Sequence, residues 1–384
     1  MTARATAPTT RTERATAPGL TMPAEWEPHE ATWLAWPHNR TDWPGKYSPI
    51  SWVYAEIVRH LVRGERVHII VNDRDWEERA RATLVRAHVP LGQVEFHRWR
   101  TDRGWIRDSG AIIVRRGAQA RAALSWRFNG WAKYADWRHD SRIAARMADY
   151  LQLECVQPVD DCSQLAPQQK RESRPWEAGN GKRVTGNVVL EGGAIDVNGR
   201  GAMLATEECL LSPDVQVRNP GISRQQLESV FQRYLGVSRV IWLGRGIVGD
   251  DTHGHVDDIA RFVSPHTVVA AVEQEPGDSN YEILQENLAR LRSATDQEGG
   301  RLRVIELPMP APVWFRRRRL PASYANFYIG NAVVLVPTFN DPNDRVALEI
   351  LASQFPDRAV VGIHCGDLIW GLGTIHCLTQ QEPR

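Results

Sequence analysis

The chain has 384 residues, of which 42% are hydrophobic and 24% charged, so two ordinary domains or one large repeat-built domain are both compatible with it. Its formal net charge of +1 provides no overall field toward nucleic acid or a membrane, and no apolar run approaches the length of a membrane span. Five cysteines without CxxC spacing disfavour a disulfide framework or a zinc ribbon, and we expect a reducing, cytoplasmic location.

Hydrophobic spacing predicts an alternation of helices and short strands. Residues 1–20 are rich in Thr, Ala, Arg and Pro and predict a disordered tail, not a signal peptide. Helical spacing occurs at 50–63, 75–87, 140–151, 223–235, 279–293 and 343–354, and strands are predicted at 67–71, 94–99, 239–243, 268–272, 303–307, 332–337 and 360–363. This order predicts an α/β protein of repeated modules, although no clean sequence period is visible.

Several other stretches are interpreted as loops. Residues 157–186 are polar and rich in Pro and Gly, and they predict a long surface loop that could act as a lid. Gly244–Gly249 fits GxGxxG, but acidic residues follow it where a dinucleotide site needs a helix. Arg316–Arg319 is predicted to be a solvated loop in preference to an anion patch. Four tryptophans in polar, Pro-rich stretches favour the walls of a cleft: Trp26, Trp33, Trp36 and Trp43.

The C-terminal stretch Gly371–Gln381 places a cysteine in a predicted extended run. Gly371 and Gly373 precede it, and glycine lets the backbone turn sharply and a ligand approach closely. Cys377 could therefore point into a cleft. Taken alone, however, a free cysteine is more often a small buried apolar residue.

Three further stretches carry polar groups that suit catalysis. If the run Thr252–Asp258 is extended, His253, His255 and Asp257 share one face and could transfer protons or bind a metal. Asp108 precedes Ser-Gly at a predicted strand end, where it is either a turn former or a carboxylate that faces a ligand. Glu191 interrupts an apolar strand that continues to an Asn198–Gly199 hairpin turn, a costly position unless the charge is paired.

Taken together, these stretches resemble a known family. The segments are MPAEWEPHEATWLAWP (22–37), WIRDSG (105–110), FNGW (128–131), LEGGAIDV (190–197), DDTHGHVDD (250–258), RLPASYANFYI (319–329) and GLGTIHCLTQQ (371–381). Their order resembles that of the agmatine deiminases and bacterial peptidylarginine deiminases, which are guanidine-modifying enzymes of the pentein superfamily. The resemblance covers residues 22–381. It implies a single domain over residues 21–384, folded as a five-fold pseudosymmetric α/β propeller of repeated ββαβ-type modules.

The resemblance also implies a role for each polar residue. Cys377 matches the nucleophile and His255 the general acid/base, Asp108 and Asp257 match the carboxylates that hold the guanidinium, and Glu191 matches the acid that pairs with the histidine. A planar cation with several N–H donors suits paired carboxylates, and a bound cation favours the reactive thiolate. Neither a metal nor a cofactor is implied.

The substrate that the resemblance favours is agmatine, with N-carbamoylputrescine and ammonia as products in polyamine synthesis. The residues expected to contact substrate are Trp105, Trp131, Asn129, Trp36 and Asp42. His253 and Gly371–Thr374 depart from the usual agmatine deiminase pattern, so peptidyl-arginine or another guanidino compound stays open as substrate. We expect no nucleic-acid or membrane partner, and a homo-oligomer is compatible with the sequence.

Three alternatives to a small-molecule deiminase remain at this point. A deiminase of arginine residues in peptides would need an arginine at the rim to bind a carboxylate, and Arg127 is the candidate. A metal-dependent hydrolase would use His253, His255 and Asp257. A catalytically silent propeller that binds a partner would have no use for a set of cysteine, histidine and three acids.

Overall fold

A computed structural model describes residues 19–117, 120–160 and 188–384 of the chain. Residues 1–18 of the predicted tail and residues 161–186 of the predicted lid lie outside the described residues. Leu20 belongs to strand β1, so regular structure begins inside the segment that was predicted to be a disordered tail. Across the described ranges, no helix combines the length and the apolar character that crossing a bilayer requires.

All six predicted helices are found, each with ends within three residues of the prediction. In the described residues the helices are α1 Ile50–Leu61, α2 Arg74–Arg86, α3 Ile106–Ser109, α4 Ile143–Leu151, α5 Glu207–Leu211, α6 Arg224–Leu235, α7 Tyr281–Ser293, α8 Pro342–Gln354 and α9 Ile375–Leu378. Local signals set their ends. Ser223 and Gln226 form a reciprocal capping box at the start of α6, and Gly236, at φ +71°, ends that helix in a left-handed conformation.

The described strands are short and are distributed among six sheets. They are β1 Leu20–Thr21, β2 His29–Ala35, β3 Arg66–Val71, β4 Val94–Arg98, β5 Ile112–Arg116, β6 Ala120–Leu124, β7 Glu154–Val156, β8 Ile195–Val197, β9 Ala202–Thr206, β10 Arg239–Leu243, β11 Ala260–Ser264, β12 Thr267–Val272, β13 Arg303–Pro308, β14 Trp314–Phe315, β15 Arg318–Arg319, β16 Tyr328–Ile329, β17 Val333–Thr338, β18 Ala359–His364 and β19 Thr379–Pro383. The seven strands predicted from hydrophobic spacing are all among them.

One strand pattern recurs in five of the sheets that the described residues form. An antiparallel pair is joined, through a helical crossover, to a third strand that runs parallel to its neighbour. In one such sheet β11 pairs antiparallel with β12, α7 crosses over, and β13 lies parallel to β12. A parallel pair needs a crossover connection, and the helix provides it. The topology therefore repeats although the sequence shows no clean period.

The fifth of these sheets joins the two ends of the chain. The C-terminal strand β19 pairs antiparallel with β2, with Thr379 opposite Leu34, and β2 continues in parallel to β3 and β4. Cys377 lies in the turn directly before β19. This pairing fixes the cysteine beside the first long strand of the chain.

The four N-terminal tryptophans lie in the core and not on cleft walls, so that prediction was wrong. Trp33 and Trp43 are fully buried, Trp36 is buried, and Trp26 packs partly buried against two core clusters. The Pro-rich segment after β2 folds back onto α1, where Trp36 packs edge-on against Tyr54. Burial of aromatic surface outweighs the polar character of the neighbouring sequence.

Candidate active site

Cys377 lies in α9, a single helical turn, and not in the extended run that the sequence predicted. Asn326 holds this turn, because its side-chain oxygen accepts hydrogen bonds from the Thr374 hydroxyl at 2.7 Å and the His376 backbone N–H at 3.1 Å. The Asn326 amide nitrogen lies 3.2 Å from the Cys377 sulfur. A Cβ on Gly373 would lie 2.8 Å from the Trp105 ring, so this close approach requires glycine.

Asp108 lies in the short helix α3, where the sequence had predicted a strand end. One of its carboxylate oxygens accepts a hydrogen bond from the Gly193 backbone N–H at 3.0 Å. The other accepts one from the Trp131 indole N–H at 2.9 Å. Two neutral donors therefore fix the orientation of a carboxylate whose side chain is almost fully buried.

Gly193 marks the place where three of the predicted site residues converge. A Cβ at this position would meet the His255 Nδ1 at 2.5 Å, an Asp257 oxygen at 3.0 Å and an Asp108 oxygen at 3.1 Å. The same Asp257 oxygen lies 3.8 Å from the Cys377 sulfur. The absence of a side chain at Gly193 therefore leaves room between an imidazole and two carboxylates beside the thiol.

Glu191 lies directly before a turn of 3-10 helix (192–194) and not in the middle of a strand as predicted. It is fully buried, and the Arg218 guanidinium pairs with it through Nε at 3.2 Å. The His255 Nε2 lies 3.7 Å from the other carboxylate oxygen. The sequence had indicated that this charge must be paired, and Arg218 is the partner that it could not name.

Several buried polar atoms in this centre have no hydrogen-bond partner among the described residues. They are both ring nitrogens of His255 and one carboxylate oxygen of Asp257. A buried polar atom without a partner costs free energy, and such atoms in a native protein indicate a function or a missing ligand. The His255 Nδ1 faces Asp108, at 3.9 Å from its carboxylate, and the His255 Nε2 faces Glu191, at 3.7 Å.

The charges around His255 favour its protonated form. Burial by itself lowers the pKa of the imidazole. Asp108, Cys209 and Glu191 raise it by more, so the pKa of His255 lies well above its ordinary value. An imidazolium in this position is a proton donor that is available for a leaving group.

The surroundings of Cys377 favour the neutral thiol over the thiolate. Burial raises the pKa of Cys377 well above its ordinary value, and the carboxylates of Asp257, Asp258 and Asp108 raise it further. The thiol is therefore neutral in the free protein. A cation placed between the acids would offset their charge and favour the reactive thiolate.

The Cys377 thiol and Asp108 lie on the wall of a cavity of about 270 Å³. Trp105, Trp131 and Asp42 also line it, as expected for residues that contact substrate. The Trp36 and Asn129 predictions are not retained. Trp36 lies in the core, and the Asn129 side chain instead accepts a hydrogen bond from the Ala132 backbone N–H at 2.9 Å.

Arginines on the cavity wall are paired with acids. Arg318, from the run predicted to be a solvated loop, lines the cavity and lies 2.9 Å from Asp251. Arg103 pairs with Asp42 and, at 3.1 Å, with Asp136. Arg127, the candidate for binding a carboxylate at the rim, lies instead in an isolated bridge with Val189. The arginine charges on the described cavity wall are therefore already offset by carboxylates.

The proposed metal set of His253, His255 and Asp257 is not assembled. The segment is a turn followed by a 3-10 turn, and His253 adopts φ +61°, so the three side chains do not share a strand face. These three residues together do not form any of the groups of described residues whose ligand atoms converge within 4.8 Å. His253 lies near Glu208 instead, at 3.8 Å.

Sequence reasoning missed a supporting group beneath the site. His376 bridges two acids, with Nδ1 2.7 Å from Asp257 and Nε2 2.9 Å from Glu25. Arg107 and Arg261 also lie against Glu25, at 3.2 Å and 3.0 Å. Glu25, Arg107 and His376 all fall within motifs that carried the family resemblance. Their position in those motifs was the available signal, but nothing in the sequence shows that they meet.

The α/β fold holds a buried thiol, an imidazole and two carboxylates around Gly193, and these residue types are typical of enzymes that use a cysteine nucleophile. The chain belongs to the Porphyromonas-type peptidyl-arginine deiminase family, whose model matches residues 21–383. It is 32% identical to an agmatine deiminase from Ectopseudomonas mendocina, with 98% of each chain covered.

Solved structures agree with this assignment. An agmatine deiminase of Enterococcus faecalis superposes with a TM-score of 0.82 at 29% identity, covering 95% of this chain and 96% of that one. An agmatine deiminase from C. jejuni with substrate bound gives a TM-score of 0.78 at 26% identity, with 95% and 96% covered.

Proposed function

We propose that the protein is an agmatine deiminase, which hydrolyses the guanidinium of agmatine to N-carbamoylputrescine and ammonia. The observation that carries the proposal is the convergence around Gly193. Asp108, Asp257 and His255 surround a space beside the Cys377 sulfur, and the His255 Nδ1 that faces this space has no hydrogen-bond partner among the described residues. A flat cation with several N–H donors suits paired carboxylates.

Binding of the guanidinium activates the nucleophile. Burial and the carboxylates of Asp257, Asp258 and Asp108 hold the thiol in its neutral form until a cation offsets the negative charge. Once the guanidinium lies between Asp108 and Asp257, the thiol of Cys377 releases its proton to solvent and the sulfur faces the guanidinium carbon. Orientation by two carboxylates converts binding energy into correct alignment of the reacting atoms.

The reaction then proceeds in two halves through a covalent intermediate. The sulfur of Cys377 bonds to the guanidinium carbon, the bond to one terminal nitrogen breaks, and that nitrogen leaves as ammonia with a proton from His255. Water next bonds to the same carbon and transfers a proton to His255. The carbon–sulfur bond then breaks while the new hydroxyl group loses its proton to solvent, which releases the carbamoyl product and regenerates the thiolate. Glu191 keeps the imidazole oriented through both halves.

The cavity wall favours agmatine over arginine. Trp105 and Trp131 provide apolar surface for an alkyl chain, and Asp42 lies on the same wall. One oxygen of Asp42 pairs with Arg103, while the other is buried without a partner in the described structure. Burial raises the pKa of Asp42 to about 7. The ammonium of agmatine would pair with this oxygen, whereas the carboxylate of arginine would be repelled.

The test of the substrate is a panel of agmatine, free arginine and a peptide with an internal arginine, assayed for ammonia and for the ureido product. We expect kcat/KM for agmatine to exceed the other values by about 100-fold, because like charges placed together cost several kcal/mol. Turnover of the peptide without turnover of agmatine would instead assign a protein-citrullinating activity to the same centre.

A matched pair of variants tests the contact with the ammonium. We expect Asp42→Asn to raise KM for agmatine by about tenfold, because one charge-assisted hydrogen bond to the ammonium is lost. Asp136→Asn removes the other acid that pairs with Arg103 but leaves the cavity wall intact, and we expect KM to be unchanged. Equal KM values for the two variants would remove Asp42 from the substrate site.

The repeated topology supports a more specific architecture. We propose that residues 21–384 form one domain in which the five similar sheets surround the site as a five-fold pseudosymmetric propeller. The antiparallel-then-parallel pattern of each sheet is the basis for this. An experimental structure in which the five modules superpose after successive rotations of about one fifth of a turn would test it, and unequal rotations would contradict it.

A further inference from the structure

A second group of ionisable side chains lies on strands β3 and β4, outside the residues that line the active-site cavity. His68 and Glu95 are opposite each other in the parallel register, and His97 is two residues farther along β4 on the same face. The His68 Nδ1 lies 2.9 Å from the His97 Nε2 and 3.9 Å from a Glu95 oxygen. All three ligand atoms fall within 4.8 Å of one another.

The two imidazoles are held in place by a cluster of aromatic rings. Trp33 stacks on His68 at 4.2 Å and on His97 at 4.9 Å, and the Tyr150 ring packs edge-on against both. The Tyr150 hydroxyl also donates a hydrogen bond to the other Glu95 oxygen at 2.5 Å. Rings fixed in this way lose little freedom when a ligand binds, and a hydrogen-bonded carboxylate is typical of the outer contacts that orient metal ligands.

We propose that His68, Glu95 and His97 bind one divalent cation of the Zn²⁺ class. Imidazole nitrogen and carboxylate oxygen bind zinc at about 2.0–2.2 Å, so two ligand atoms of a tetrahedral site are about 3.3 Å apart. The observed separations of 2.9 Å and 3.9 Å lie on either side of that value, so small side-chain rotations produce the site. The Glu95 side chain is about half exposed, which leaves water access to the fourth position.

A simpler arrangement of the same residues is a neutral pair of imidazoles that share one N–H···N hydrogen bond. That pair explains the 2.9 Å contact but gives no role to Glu95 or to its hydrogen bond from Tyr150. The other convergent group in the described structure, Glu191 with Cys209 and His255, is less suited to a cation because the Arg218 guanidinium already pairs with the Glu191 carboxylate. Among the described residues, no arginine or lysine lies within ion-pair distance of the carboxylate of Glu95.

Binding can be measured directly on the full-length protein, purified without a histidine tag. We expect titration calorimetry with Zn²⁺ to give one strong site per chain. Co²⁺ in the same site should show the visible bands of a tetrahedral ion without a thiolate charge-transfer band, because the ligands are nitrogen and oxygen. A thiolate band would place the metal at Cys377 or Cys209 and would overturn the proposal.

Variants distinguish between a metal site and a simple hydrogen-bonded pair of imidazoles. We expect Glu95→Gln to weaken Zn²⁺ binding by at least about tenfold, and Tyr150→Phe by about tenfold through loss of support to that ligand. His364→Gln removes an exposed histidine on a different sheet and should leave affinity unchanged. Both test variants change half-exposed side chains, so folding is readily checked by circular dichroism.

The effect on stability provides a third measurement. At Zn²⁺ about 100-fold above Kd, we expect the unfolding midpoint of the wild type to rise by about 3 to 4 °C, because the ion binds only the folded state. The rise should be absent in a His68→Gln/His97→Gln variant at the same zinc concentration. Equal affinity and equal midpoint shifts in the wild type, Glu95→Gln and Tyr150→Phe would contradict the proposal.

Discussion

Two groups of buried charge, here called the lower and the upper group, adjoin at Asp257, and they differ in how completely their atoms are paired. In the lower group, one Glu25 oxygen contacts His376 and Arg107, and the other contacts Arg261 and accepts a hydrogen bond from the Ile329 N–H at 2.9 Å. In the upper group, both nitrogens of His255 and one oxygen of Asp257 have no partner in the described structure.

We interpret the lower group as structural support and the upper group as the reactive centre. Paired buried charges are rigid, and removing one partner exposes the desolvation cost of the others. Unpaired charges around a cavity are arranged for a ligand that is itself charged. We therefore expect changes in the upper group to alter rate and changes in the lower group to alter stability. Asp257 connects the two, because the oxygen that accepts a hydrogen bond from His376 at 2.7 Å also lies 3.8 Å from the Cys377 sulfur.

The largest effect is expected from the nucleophile. Cys377→Ala should lower kcat for agmatine by about 10⁴-fold or more, because the covalent route is lost, while the unfolding midpoint should change little. Cys155→Ala, at an exposed cysteine far from the cavity lining, is the matched control and should keep full activity. Substantial ammonia release by the Cys377 variant would contradict the assignment of the reactive centre.

A pair of acid variants sharpens the contrast between the two groups. Asp108→Asn should lower kcat/KM for agmatine by about 100- to 1000-fold, since a carboxylate that binds the cation is lost. Glu25→Gln should instead lower the free energy of unfolding by about 3–5 kcal/mol, because Arg107 and Arg261 lose a buried partner. Steady-state kinetics and urea unfolding of both variants provide the comparison. If both variants lose mainly activity, or both lose mainly stability, the two groups do not differ in role.

The two groups should also respond to pH in opposite directions. Burial raises the pKa of Glu25, but Arg261, His376 and Arg107 lower it by more, so its pKa is well below the usual 4.5. Its contribution to stability is therefore present above pH 4.5 and is lost as the pH falls through the folded-state value. The pKa of His255 is raised, so the contribution of His255 to stability is present below pH 6.5 and is lost as the pH rises through the folded-state value.

Urea unfolding at several pH values checks these signs. The stability difference between the wild type and Glu25→Gln should shrink as the pH falls below 4.5, whereas the difference between the wild type and His255→Gln should shrink as the pH rises through the folded-state pKa. If either difference changes in the opposite direction, the corresponding charge assignment is wrong.

The smallest effect is expected at the indole that orients Asp108. Trp131→Phe keeps the aromatic ring but removes the N–H donor, and kcat/KM should fall by about tenfold. Trp126→Phe is the matched control, because the Trp126 nitrogen is buried without a partner among the described residues and lies outside the cavity wall. A fall of similar size in both variants would show that tryptophan packing, and not the hydrogen bond, is responsible.

Much of the fold followed from hydrophobic spacing, which located every long helix in the described chain. The local geometry of the site did not. Cys377, Asp108 and Glu191 were predicted in or beside strands, yet two lie in single helical turns and the third precedes a 3-10 turn. Such short turns carry no periodic signal, and tertiary contacts such as those of Asn326 set them.

The identity of the reactive residues was predicted only through the order of seven motifs. The residues beneath the site were not predicted, because Glu25 and His376 are separated by 351 positions and meet only when β19 pairs with β2. Trp36 and Asn129 belong to such motifs but are not among the residues that line the described cavity. A motif shows that a segment contributes to a site but not which of its side chains faces the cavity.

Capture of the covalent intermediate tests the role of Cys377 as nucleophile most directly. Acid should capture it when the wild type is quenched during turnover, because acid stops the attack of water in the second half of the reaction, and His255→Gln should form it more slowly because the group that protonates the leaving ammonia is missing. We would mix the wild type and this variant with agmatine, quench in acid within one turnover and measure the intact mass and the C-terminal peptide. We expect an added mass of agmatine less one ammonia, on Cys377. Product formed by the wild type with no adduct on Cys377 in any quenched sample, of wild type or variant, would contradict it.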